Sequence, residues 1–192
     1  GLNDRNRNFA CSKCHSGERP PYADGQHTWN STEFSDAVKG ACYISGAAHS
    51  ERGDMKTLTC VHCHNPHKGI GKKWALTPAQ DDASCVSCHK QFEKPAAVEA
   101  HTHHGPGSAG GQCMNCHMPK LNEGMQDMVR SHRITKPTGR RMIEANHPNA
   151  CNLCHLDKPI DWTIKHLVAW YGEEHRYSEA ELKANYPDRE GP

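Results

Sequence analysis

The chain has 192 residues, enough for one domain or two small ones. Its hydrophobic fraction of 35% and mean hydropathy of −0.88 are meagre for a core built from side chains alone. Its net charge of +1, with Lys and Arg scattered, excludes the basic footprint of a nucleic-acid binder. No apolar run is long enough to span a membrane as a helix.

In chain order, the first notable element is Cys11-Ser-Lys-Cys14-His15, followed by the loop sequence Gly17-Glu18-Arg19-Pro20-Pro21, then His27, a solitary Cys42, and His49 in a Gly- and Ala-containing stretch. Next come Cys60-Val-His-Cys63-His64, His67 three residues on, and Cys85-Val-Ser-Cys88-His89. The cluster His101-Thr102-His103-His104 leads into a Gly-rich loop to Gly111, and Cys113-Met-Asn-Cys116-His117 follows. His132 stands between Arg130 and Arg133, His147 lies four residues before Cys151, and Cys151-Asn-Leu-Cys154-His155 is the last such motif. Beyond it, Ile160, Ile164, Leu167, Val168 and Tyr171 recur at helical spacing, and Gly172 supplies a stop. Ser178 with Glu181 predicts an N-capped helix to Asn185, so the C-terminal helical segment covers about 159–186. Short helical turns are expected at the cysteine motifs, and no run of residues reads convincingly as strand.

Ten of the eleven cysteines sit in C-x-x-C-H. Zinc sites and redox dithiols also use C-x-x-C, but neither needs a histidine directly after the second cysteine. Covalent haem attachment does: two thiols become thioethers and the adjacent imidazole is delivered to iron as the proximal ligand. Cys11, Cys14, Cys60, Cys63, Cys85, Cys88, Cys113, Cys116, Cys151 and Cys154 are therefore the attachment residues, and His15, His64, His89, His117 and His155 the proximal ligands, of five haem c groups. So little chain per cofactor cannot wrap each macrocycle separately. The fold expected over residues 1–192 is one pentahaem domain, mostly irregular with short α-helices, in which stacked haems form the core. Two ionised propionates per haem would lower the net charge from +1 to about −9.

Eleven histidines remain for the sixth coordination positions, which favours bis-histidine ligation over methionine. His67 is too near His64 to reach the opposite face of the same haem and is expected to serve a neighbour. His49 and His132 are candidates, each with the alternative of a plain loop histidine. His104 is the first choice from its cluster, and His27 and His166 compete for the remaining position. His62 and His175 are read as surface residues, His147 as a reserve. Cys42 is either a buried free thiol or half of an intermolecular disulfide.

Thr59 to His67, His101 to Gly110, Cys113 to Pro119, Arg130 to Ile134 and Pro148 to Asp157 carry a resemblance. Over about residues 40–172 the chain resembles bacterial multihaem cytochromes of the doubled C-x-x-C-H group. It also resembles the haem-binding portions of larger cytochromes with helical repeats. The resemblance implies an exported electron-transfer role, and ligands at His67, His104 and His132. In plan the chain is also similar to exported cytochromes that assemble into conducting filaments. A carrier is expected rather than an enzyme, placed in the periplasm or at the cell surface, with redox proteins or extracellular acceptors as partners and self-assembly as a further possibility. The alternative is a reductase of nitrite, hydroxylamine or sulfur oxyanions, which needs one haem with an open position.

Overall fold

A computed structural model describes residues 4–16, 32–51, 58–65, 77–123, 127–137, 144 and 149–188. Its helices are short, and three of them, with one 3₁₀ turn, lie at a cysteine motif. Helix α1 (Asp4–Ser12) ends at the first motif. Two helices follow, α2 (Glu33–Ala37) and α3 (Ala41–Glu51). The second motif opens a single 3₁₀ turn, Cys60–His62, in which Thr59 and His62 form a capping box. Helix α4 (Pro78–Val86) carries Cys85 and starts at a second box, where Thr77 accepts from the Gln80 amide and Pro78 occupies the first turn. Helix α5 (Pro95–Thr102) stops where His103 enters the left-handed region at φ +57°. Helix α6 (Cys113–His117) is the fourth motif itself.

The spacing of the motif explains these turns. The amide of His15 bonds to the Cys11 carbonyl at 3.1 Å, that of His64 to Cys60 at 2.9 Å, that of His89 to Cys85 at 3.0 Å, and that of His155 to Cys151 at 2.9 Å. Each motif therefore closes one α-helical turn. Residues three and four apart share a face of such a turn, so both thiols and the imidazole are presented on one side.

Strands β1 (Lys120–Glu123) and β2 (Asp127–Arg130) pair antiparallel, with Leu121 opposite Val129. This hairpin corrects the strand-free expectation. Four residues per strand give the alternation too few positions to register, and Leu121 is the buried one of the described side chains of β1. Arg130 closes the hairpin onto the fourth motif, donating to the Met114 and Met118 carbonyls at 3.0 and 3.2 Å and to Asn115 Oδ1 at 3.0 Å.

The C-terminal segment matches expectation. Helix α7 (Ile160–Tyr171) ends at Gly172, and α8 (Glu179–Asn185) starts with the Ser178–Glu181 box. Ile160, Ile164 and Leu167 pack with Tyr177 and Leu182 into one buried cluster. Elsewhere among the described residues, buried hydrophobic side chains are single: Met114, Leu121 and Ala150. The apolar core thus lies at one end, and the segments bearing the cysteine motifs have little side-chain core of their own. None of the described helices is long and apolar enough to cross a membrane.

Candidate haem-attachment site

The five motifs form one contiguous run in chain order. Cys60 is raised to about 11, first by burial and then by Cys11 beside it. Cys63 is raised by burial, opposed by a hydrogen bond from Ser84, and it feels Cys85. Cys113 donates its proton toward the Cys85 sulfur, which lifts Cys113 and lowers Cys85. Burial lifts Cys116, which Cys154 raises further, and burial carries Cys151 to about 11, with Cys116 adding to the rise. Thioether formation would add each thiol's S–H across a vinyl group, sulfur to one carbon and hydrogen to the other, and a thioether no longer titrates.

Three motif histidines face a second imidazole across a gap. Ring centroids are 6.1 Å apart for His64 and His132, 6.2 Å for His117 and His101, and 6.1 Å for His155 and His104. These separations are too long for ring-on-ring contact. A metal–imidazole bond is about 2.0–2.1 Å and the bonding nitrogen lies about 1.1 Å from its ring centroid, so two imidazoles on opposite sides of one metal stand about 6.2 Å apart. The three gaps have that width. Each supplies two donors and leaves the remaining positions to a ligand the chain does not provide, as a macrocycle with four nitrogens would.

The hydrogen bonds select the nitrogen that faces the gap. Nδ1 of His132 donates to the Arg130 carbonyl at 3.0 Å, that of His117 to Thr135 at 2.7 Å and that of His104 to Thr102 at 2.6 Å. An imidazole that donates from Nδ1 keeps its Nε2 lone pair for a metal and is fixed in orientation. Gly110 completes the placement of His104, since a Cβ there would meet His104 Cδ2 at 2.2 Å. The Tyr171 hydroxyl donates to the His101 carbonyl at 2.6 Å and ties α7 to α5. Burial lowers the pKa of both His101 and His132, favouring the neutral ring.

His101 is the residue that sequence reasoning passed over. The four-residue cluster did not distinguish His101 from His104, and the structure sends both to different motif histidines. His15 lies with Nδ1 3.0 Å from Glu33. His166 donates from Nδ1 to the Trp162 carbonyl at 2.8 Å and packs between Trp162 and Trp170. The described residues place no second imidazole opposite His15 or His89. Of the candidates for those positions, His27, His67 and His147 lie outside the described residues, and His49 is on α3 with its side chain outside them. His62 is exposed and serves the Thr59 box. His175 corrects its surface assignment: its side chain is 12% exposed, because the chain after Gly172 folds back on α7 and Tyr171. The Cys42 thiol is half-buried and raised by burial, then by Cys85, Cys88 and Cys63.

The donor set fits covalent haem. Paired thiols on one face of a turn, an imidazole delivered beside them and, at three motifs, a second imidazole across the gap support a multihaem c-type cytochrome, the kind of protein that binds haem covalently and transfers electrons. Residues 52–94 match the family described as the doubled CXXCH motif. That match takes in the second and third motifs. No solved structure matches the chain.

Proposed function

We propose that the chain carries five haems in a single row, in the order of their motifs, and works as an exported electron carrier over residues 1–192. The observation that carries this reading is the recurrence of three imidazole pairs at 6.1–6.2 Å, each containing a motif histidine. His132, His101 and His104 are then the second ligands of the second, fourth and fifth haems, with His27, His49, His67 and His166 the sequence candidates for the first and third. The haems supply the one-electron change when bound. The chain sets the spacing of the attachment points, orients His104, His117 and His132 by their Nδ1 bonds, and would supply two imidazoles to each of the second, fourth and fifth haems. Filled axial positions favour a carrier over a reductase, whose substrate needs a vacant one.

Covalent attachment to paired thiols and the density of motifs favour a site outside the cytoplasm. Partners in this reading are redox proteins or extracellular acceptors. End-to-end contact between copies is the form in which such a row would extend beyond one chain. An optical and paramagnetic spectrum of the purified holoprotein tests the ligation: a wholly low-spin spectrum is expected, and a stable high-spin haem that binds nitrite or hydroxylamine overturns the carrier reading.

A further inference from the structure

Asn8 and Asp82 occupy the same place in two parts of the chain. Each stands three residues before the first cysteine of its motif, Cys11 and Cys85, and each lies on a helix that carries that cysteine, α1 and α4. Three residues along a helix return to the same face, so each side chain points alongside its own cysteine. Asn8 Oδ1 accepts from the amide of Cys60 at 3.0 Å, and Asp82 Oδ1 accepts from the amide of Cys113 at 3.0 Å. Cys60 and Cys113 are the first residues of their turns, and such leading amides have no partner within the turn. Asn8 is 3% exposed and anchors itself by donating Nδ2 to the Leu58 carbonyl at 2.9 Å. The thiols repeat the arrangement, with Cys60 against Cys11 and Cys113 against Cys85.

The geometry points to Asn8 and Asp82 as equivalent positioning residues. Each clamps one motif to the next, the first to the second and the third to the fourth, so that four of the five motifs form two like pairs. At the corresponding position the second motif has Thr57, the fourth Gly110 and the fifth Pro148. A carboxylate or carboxamide occurs there only in the first and third motifs, the ones that reach forward to a successor. The pairing is offset by one motif from the doubled-motif match over residues 52–94. The contact between Cys60 Sγ and Asn8 Oδ1 at 3.4 Å loses its proton when the thioether forms, whereas the amide bonds at Cys60 and Cys113 survive attachment. They hold the pair in the mature protein.

Resting on the reading of the motifs as haem sites, the clamp is tested in holoprotein by two independent measurements. Denaturing mass spectrometry counts the haems, and circular dichroism in the Soret band reads the couplet produced by neighbouring macrocycles. Asp82→Ala is expected to keep its haems and lose part of the couplet. Asp82→Asn retains an oxygen acceptor, Asp81→Asn alters an adjacent carboxylate, and both are expected to keep the couplet whole. Asn8→Ala should repeat the loss for the first pair. A full couplet in Asp82→Ala, or an equal loss in Asp81→Asn, overturns the clamp. Should Asp82→Ala fail to mature, Asp82→Asn decides alone: an intact couplet supports the clamp and a diminished one overturns it. A haem count below five in the unaltered chain would instead contradict the proposed function and leave the couplet comparison standing on the haems present.

Discussion

Replacing Gly110 by alanine should open one haem. The added methyl carbon would lie 2.2 Å from His104 Cδ2, 2.4 Å from Cγ and 2.7 Å from Nε2, where ordinary contact begins at 3.4 Å. The ring must therefore retreat by about 1.2 Å, the difference between the contact distance and 2.2 Å. A metal–imidazole bond of about 2.0–2.1 Å does not survive a displacement of that size. The ring is also tied by its Nδ1 bond to Thr102 at 2.6 Å, so it cannot follow the metal by swinging freely. Gly110 does not have the positive φ that Gly107 and Gly172 show, so the backbone tolerates alanine and the effect is confined to His104. The expected outcome is an unchanged haem count with one haem converted to high spin, read in the optical and paramagnetic spectra. Added imidazole should restore the low-spin form. A fully low-spin Gly110→Ala protein would refute the assignment of His104 as an axial ligand.

His132→Ala and His101→Ala should each convert one further haem to high spin without loss of attached haem, and a double variant should show the sum, because the two residues face different motif histidines. Replacing Cys60 and Cys63 together should lower the mass by one haem and interrupt electron transfer along the row; undiminished transfer would show that this haem is not in line. Leu167→Ala, at a site 3% exposed in the C-terminal cluster, should cost about 2–5 kcal/mol of stability in denaturant melts. The spin state of the first three haems should stay unaltered. Arg130→Ala removes three bonds that hold the fourth motif to the hairpin, and should loosen that motif, seen as faster amide exchange at Met114 to Met118.

The turn at each cysteine motif was fully legible in the sequence, because C-x-x-C-H is a local rule: one turn of helix is enough to bring its three side chains together. The C-terminal helices were legible for a similar reason, since Ile160, Ile164 and Leu167 keep a helical period and Ser178 with Glu181 forms a local cap. The imidazole pairs were only partly legible. His132 is 68 residues from His64, and nothing between them records that the hairpin brings them to 6.1 Å. His101 and His104 differ by less than one turn in sequence, yet the left-handed turn at His103 sends them toward different motifs. The hairpin escaped notice because its strands are four residues long. The partial burial of His175 depends on the chain reversing at Gly172, whose φ of +117° is legible only as a stop.

The mass of the purified, denatured chain tests the central claim most directly, because thioether-linked haem remains on an unfolded chain whereas haem held only by axial ligands does not. The expected mass is that of the 192-residue polypeptide carrying five haems, each on one cysteine pair. A count of four or fewer on the mature protein would contradict it.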